Sequence, residues 1–283
     1  MDYTRCVSSG RYYTGAEKKR GILIYGEPYI MKYAKESPEG MTYSHVSEYL
    51  GSHLFAQAGI ETQETILGTC DGYPVVVMKD FIEEGETFVP FNDIGDSSLE
   101  RDREVYRYTY DSILDMLREN TKLTHVEETC ERFWDMYLVD AWIGNFDRHG
   151  ANWGFLKKEN RYRIAPVYDN GSSLFPRLNT DEKLKAVLGS AEEMEKRIFQ
   201  FPTSQILLHG RKSSYFEVID SLCYEACNRA LIRMHERIQP ERAGKLIEGV
   251  EKLSPIRRQF YHTMLEMRYE KILDGPYRKL TGT

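Results

Sequence analysis

The run Gly144-Asn145-Phe146-Asp147-Arg148-His149-Gly150-Ala151-Asn152 is the densest polar stretch of the sequence, and it follows directly on the apolar segment FWDMYLVDAWI. A second cluster, Ala165-Pro166-Val167-Tyr168-Asp169-Asn170-Gly171, lies a short way downstream. The residues between them read as a hairpin, 153–157 and 161–167, around a turn near Lys158-Glu159-Asn160. The midpoint of Asn152 and Asp169 falls inside that turn, so an antiparallel return sets both side chains at one end. An amide and a carboxylate oxygen suit a hard Mg²⁺ ion, which usually keeps waters and phosphates as its remaining ligands. Asp147 precedes Asn152 by five residues, room enough for the Asp to face an acceptor hydroxyl while the Asn turns back to the metal. Such a carboxylate is the base or orienting group of phosphoryl transfer, where the protein chiefly positions and neutralises. A polar loop that merely caps a helix is the competing reading of any lone D-x-x-x-x-N, and the hairpin with its second Asp separates this one from it.

The first eighty residues supply elements that complement this cluster. Segments 20–25 (RGILIY) and 29–34 (YIMKYA) flank Gly26-Glu27-Pro28 and read as a hairpin. Apolar Val46, Leu50, Leu54, Phe55 and Ala58 recur at helical steps over 43–58 and stop at Gly59. Two further strands, 61–68 and 73–78, join through Cys70-Asp71-Gly72. Lys32 sits in the middle of its strand and Glu48 lies on the helix that follows. A strand lysine held by a helix glutamate is the pairing with which protein kinases orient α- and β-phosphates. A strand lysine is otherwise an edge-blunting charge. Upstream, the small and polar segment 8–19, ending in Lys18-Lys19, could cradle phosphates on its backbone N–H groups.

After Lys79 the chain changes character. EEGETFVPFNDIGDSS is acidic and rich in turn residues, which marks a boundary between a lobe of residues 1–80 and one of 81–283. Helices are expected at 100–119, 126–143, 181–199, 213–236, 240–252 and 255–273, with Pro240 and Pro255 in first turns. The fold class is α+β, a small β-rich N-lobe and a larger helical C-lobe. The 283 residues are 41% hydrophobic and 29% charged, an ordinary globular balance, with a net charge of −6 that offers no global positive field for nucleic acid. Five scattered cysteines without a CxxC pair read as reduced thiols in a cytoplasmic protein, and no apolar run approaches the length of a signal core or a membrane span.

The order of loop, strand Lys, helix Glu, hinge-like Met78-Lys79-Asp80-Phe81, D-x-x-x-x-N, hairpin and Asp matches the protein-kinase-like fold. GAEKK at 15–19, MKYA around Lys32, GNFDRHGANWGFL at 144–156 and APVYDNGSSLF at 165–175 resemble the HipA-like kinases, bacterial serine/threonine kinases often encoded as toxins of toxin–antitoxin modules. The resemblance runs from about residue 8 to the C-terminal helices. It implies ATP and Mg²⁺, with Thr14, Gly15, Ala16 and Lys19 in a phosphate loop and Lys19 and Lys32 on phosphates. Glu48 then holds Lys32, and Met78, Lys79 and Phe81 surround adenine. It further implies Asp147 as catalytic base, Asn152 and Asp169 on Mg²⁺, and His149 lining the nucleotide site. The implied partners are a protein substrate with a Ser/Thr acceptor and an antitoxin-type protein, while the charge balance and the short apolar runs set aside direct nucleic acid and membrane.

Typical members carry an extra N-terminal subdomain ahead of the loop, so this chain looks like a shorter, stand-alone form. Tyr12 stands where several members have a self-phosphorylated serine, with Ser8, Ser9 and Thr14 nearby as candidates. Two other readings stay open on the residues. The loop also resembles that of lipid kinases and small-molecule phosphotransferases, and the acidic segment 83–86 would suit a cationic acceptor. A nucleotide-binding pseudokinase that serves as a docking surface is the non-enzymatic alternative.

Overall fold

A computed structural model of the chain describes residues 1–13, 18–98, 108–120, 123 and 125–283. The β-formers of the first region make an antiparallel sheet from β1 (Lys19–Ile24), β2 (Glu27–Tyr33), β5 (Thr65–Cys70) and β6 (Tyr73–Lys79), in the order β1-β2-β6-β5. A small hairpin, β3 (Glu36–Ser37) with β4 (Gly40–Met41), leads into helix α1 (Ser44–Gln57). The β1–β2 turn is one residue tighter than expected. Tyr25 and Gly26 both have positive φ, the two-residue hairpin geometry that matches strand twist, so Glu27 and Pro28 belong to the strand. Pro28 has no N–H to give, and its carbonyl accepts from the Asp80 backbone N–H at 3.0 Å. Asp71-Gly72 turns β5 into β6 in the same manner. One sheet face buries Tyr3, Ile22, Met31, Val75 and Val77 in a small core of its own. On α1, Leu50, Leu54 and Phe55 join the larger core instead, which runs on through the C-terminal helices.

The acidic, turn-rich segment at the expected boundary contains a strand. Glu86-Thr87-Phe88-Val89-Pro90 form β7 (Glu86–Pro90), which pairs antiparallel with β8 (Gly154–Lys158), itself paired to β9 (Arg161–Ile164). Thr, Phe and Val are strand formers, and the one charge turned onto a neighbour is answered, because Arg163 Nη2 donates to Glu86 Oε1 at 3.2 Å. The expected hairpin is therefore two strands of a three-stranded sheet, turning at Glu159-Asn160. Helix α2 (Phe91–Ser98) follows β7.

The remaining helices are α3 (Tyr110–Glu119), α4 (Val126–Ile143), α5 (Asp181–Leu188), α6 (Ala191–Glu195), α7 (Tyr215–Asp220), α8 (Glu225–Arg237), α9 (Pro240–Glu248), α10 (Pro255–Arg268) and α11 (Gly275–Thr281). Helix α4 has the expected bounds and forms the axis of the core, buried from Phe133 to Ile143 and stopped by Gly144 in the left-handed region. The helix expected over 100–119 begins at Tyr110, where Thr109 caps it; residues 99–107 lie outside the described residues. The helix expected over 181–199 is broken at Gly189-Ser190, since Ser190 accepts from the Glu193 N–H and starts a new helix. It then continues as a π-helical turn, Lys196–Gln200. The helix expected from 213 is preceded by an unforeseen hairpin, β10 (Thr203–Leu208) with β11 (Arg211–Ser214), whose QILL run reads equally as strand or helix. No helix among the described residues is long and apolar enough to cross a membrane. The fold is a β-sheet N-terminal region followed by a largely helical C-terminal part.

Candidate active site

A cavity of about 780 Å³ lies between the first sheet and the loops that follow α4. Lys19, Lys32, Glu48 and Met78 line it from the N-terminal region, Phe81 from just past β6, and Asp147, His149, Asn152 and Asp169 from the C-terminal part. Lys79 does not line it. Side chains alternate along β6 and into the residue after it, so Met78 and Asp80 face the cavity and Lys79 turns away. The backbone of Lys79 is also engaged, its N–H with the Glu64 carbonyl at 2.9 Å and its carbonyl with Gln63 Nε2 at 2.8 Å. Thr14, Gly15 and Ala16 fall outside the described residues.

The sheet wall presents positive charge. Lys19 and Lys32 are direct cross-strand partners on β1 and β2, an arrangement that costs stability unless an anion answers it. Lys32 is buried, with Nζ 3.4 Å from Glu48 Oε2 and 3.0 Å from Asp169 Oδ1. Burial alone would lower the Lys32 ammonium, but the two carboxylates outweigh it and hold it above its ordinary value. Burial likewise works to raise the Asp169 carboxyl, and the Lys32 charge and hydrogen bond, with Arg148 and Lys19 behind them, hold it below the usual range. Glu48 is sealed, and its desolvation wins, so its carboxyl sits above the ordinary value despite Lys32. Its Oε1 accepts from the Asn170 backbone N–H at 2.7 Å, tying α1 to the loop that carries Asp169. Gly51 on α1 permits that approach, because a Cβ there would lie 2.5 Å from the Asn170 Cβ.

The floor is organised by a residue whose role the sequence reading did not assign. Arg148 is buried and uses all five of its donors. Nε and Nη2 take the two oxygens of Asp140 at 2.8 and 3.0 Å, and Nη2 also reaches Asn170 Oδ1 at 2.6 Å. Nη1 donates to the carbonyls of Asn152, at 2.9 Å, and Tyr168. The guanidinium thus grips both neighbours of Asp169, which itself adopts a left-handed backbone with φ 56°. A carboxylate inside the apolar run LVDAWI was the signal available for Asp140, since such a charge must find a partner. Asn152 Nδ2 donates to the Asp147 carbonyl at 2.8 Å, which leaves its Oδ1 as the free end of the amide. The Asp147 and His149 side chains are each 43% exposed, with Asp147 Oδ1 4.0 Å from His149 Nε2.

Two further features escaped the sequence. Phe81, Phe88 and Tyr168 pack around one another with ring centroids 5.3 to 6.1 Å apart, giving the cavity an aromatic corner. Asp80 accepts from Arg11 Nη1 at 2.5 Å and from the Tyr13 hydroxyl at 2.7 Å, which fastens residues 11–13 to the cavity edge. The acidic segment 83–86, by contrast, spends Glu86 on Arg163. Chemically the cavity opposes two ammonium groups to a carboxylate and an amide oxygen, with a second, half-exposed carboxylate beside them. It can bind a polyphosphate with a divalent cation and offer a carboxylate to an incoming hydroxyl.

Solved structures that resemble the chain include the Helicobacter pylori proinflammatory kinase CtkA, with a TM-score of 0.92 and 30% identity over 99% of this chain and 98% of that one. The curated serine/threonine-protein kinase CtkA of Helicobacter pylori strain J99 is 31% identical over 97% of this chain and 86% of its own. The Shewanella oneidensis HipA, solved with HipB and operator DNA, matches in fold with a TM-score of 0.61 at 14% identity, over 96% of this chain and 68% of that one. Residues 13–239 match the family described as the HipA-like C-terminal domain, so the chain belongs to the HipA-like family and carries its kinase fold.

Proposed function

We propose that the chain is an ATP-dependent protein serine/threonine kinase whose site is built from residues 1–80 as one lobe and 81–283 as the other. The observation that carries this is Lys32, which joins Glu48 of the helix to Asp169 of the loop across the cavity. The relative named a serine/threonine-protein kinase supports the acceptor class. Lys19 and Lys32 bind the phosphates of ATP, whose negative charge adds to that of Glu48 and Asp169 in offsetting the two ammonium groups. Met78 and the aromatic corner of Phe81, Phe88 and Tyr168 hold the base, and His149 lines the same space. The free oxygen of Asn152 and the half-exposed carboxylate of Asp169 suit Mg²⁺ in hardness and charge. Bound there, the ion would neutralise phosphate charge. Asp147 takes or orients the acceptor hydroxyl proton, and in a largely dissociative transfer orientation outweighs basicity. The reading takes the cytoplasm as the compartment, and an antitoxin-type partner follows from the family resemblance alone.

Transfer of labelled γ-phosphate to a generic protein substrate tests the reading. The Asp147→Asn variant should bind Mg-ATP about as tightly as wild type by calorimetry yet lose roughly 10²- to 10⁴-fold in turnover. Affinity falling in parallel with turnover would move Asp147 to the nucleotide site. Modification of a small alcohol or lipid in place of protein would replace the acceptor class.

A further inference from the structure

Beside the catalytic loop lies a second cavity of about 120 Å³, whose walls include Phe146, Phe175, Arg177, Leu178, Arg197 and Phe201. It shares no lining residue with the larger cavity, so it is no part of the nucleotide site. Phe146 is the residue before Asp147. Phe201 is 47% exposed, with its ring centroid 5.8 Å from that of Phe146 and 6.3 Å from that of Phe175. The Arg177 guanidinium stands 5.5 Å from the Phe146 ring centroid and is exposed. Among the described residues no carboxylate pairs with Arg177, whereas Arg197 Nη1 is held by Glu193 Oε2 at 2.6 Å. The walls are fixed from behind. Gln205 Nε2 donates to the Phe146 carbonyl at 2.5 Å, and the buried Arg268 donates to the carbonyl of Arg197.

A singly exposed Phe needs no explanation. Three rings and an unanswered guanidinium around one hollow, joined by the chain to the acceptor carboxylate, do call for an occupant. Charge complementarity makes that occupant acidic, and the rings add an apolar side chain beside it. Resting on the protein-kinase reading above, we infer that this slot receives residues flanking the phosphoacceptor, an acidic side chain on Arg177 and a bulky apolar one among Phe146, Phe175 and Phe201. Phe146 and Asp147 are consecutive, their Cα atoms about 3.8 Å apart, and an extended peptide advances about 3.3 Å per residue, so the acceptor's near neighbours in the peptide are the residues assigned to the slot.

An oriented library of serine-centred decapeptides, incubated with the full chain and Mg-ATP and read by mass spectrometry, tests this. Peptides with Asp or Glu near a Phe, Leu or Ile, within three positions of the serine, should be enriched about fivefold, the scale of one half-exposed ion pair with some apolar burial. Arg177→Glu should reverse the charge preference toward Lys and Arg, and Phe201→Ala should flatten the apolar preference while keeping the acidic one. A structural role for either side chain would slow all peptides alike and reverse nothing. A wild-type profile that is flat, or an acidic preference that survives Arg177→Glu, overturns the inference and leaves the kinase reading standing. A library that stays wholly unphosphorylated while a small alcohol or lipid is modified overturns both.

Discussion

Asp169 and Asp140 are both carboxylates gripped by a buried cation, and they are held in opposite ways. Asp140 sits on α4 with its side chain 1% exposed, and both of its oxygens go to Arg148, whose donors are all consumed by protein. Asp169 gives one oxygen to Lys32 and remains 36% exposed on the cavity, beside Asn152 and opposite Lys19. The Asp140–Arg148 region is saturated and holds two loops in register. The Lys32–Asp169 region is half answered and faces a space of nucleotide size. A saturated charge pair is architecture, and one left open toward a cavity is available to a ligand.

The largest effect should come from the open side. Asp169→Asn keeps the shape and removes the charge, so phosphotransfer should fall by about 10³-fold or more, while the lost Lys32 pairing costs less stability than the loss of Arg148 does. Equal loss of stability and activity would show that Asp169 is structural like Asp140, and the contrast would collapse. The closed side should respond in the other coordinate. Arg148→Met strands Asp140 as an unpaired buried charge and frees the carbonyls of Asn152 and Tyr168, at a cost of about 3–5 kcal/mol. Chemical denaturation reads that loss, and adding Asp140→Asn should recover part of it. A variant as stable as wild type would mean that the loops are held by other contacts.

The same contrast separates residues legible in the sequence from those that only the fold brings together. Asp147, Asn152 and Asp169 stood out because phosphoryl transfer would use their types at such a spacing, and the structure lines one cavity with all three. Lys32 and Glu48 followed from the order of strand and helix. Arg148 lies inside the same motif, yet its partners Asp140, Tyr168 and Asn170 are scattered along the chain, and only folding shows that one guanidinium meets all of them. Lys79 was misplaced because a hinge-like segment gives no phase for strand alternation. β7 was missed because its flanking glutamates resemble a solvated linker, and the arginine that answers Glu86 lies on a strand 77 residues away. Gly189-Ser190 broke an expected helix because a cap outweighs apolar periodicity over so short a run.

Acid titration sharpens the comparison at an intermediate scale. The Asp169 carboxyl is depressed in the folded chain, so the stability it contributes is present above its unfolded value near 4 and is lost as pH falls through the lower folded one. In Lys32→Met the depressing charge is gone and burial remains, so Asp169 should shift upward and Glu48, already raised, further still. A raised carboxyl destabilises as pH climbs from its unfolded value through its folded one. The stability gap between wild type and Lys32→Met should therefore widen between pH 4 and pH 7, carried mainly by the sealed Glu48 and only weakly by the solvent-screened Asp169, read from urea midpoints. A gap that is constant with pH would mean that the three groups do not share a field.

The smallest effect belongs to the cavity edge, which is neither open nor saturated. Asp80 is nearly enclosed, its side chain 3% exposed, but its cationic partner Arg11 is 48% exposed, so water screens the pair and limits its worth to under about 1 kcal/mol. The Tyr13 hydroxyl adds a second bond, and burial together with Asp80 pushes that hydroxyl up to about 12, so it stays protonated and donating at neutral pH. Asp80→Asn removes the charge without stranding a buried partner, because Arg11 can turn to water. Residues 11–13, which bring Tyr12 and Tyr13 to the cavity, should then be held less firmly. ATP affinity by calorimetry should weaken about two- to fourfold, with turnover at saturating ATP close to wild type. A loss of affinity beyond about fiftyfold would exceed what a screened pair can supply, and Asp80 would then stand with Asp169 among the groups that meet the ligand.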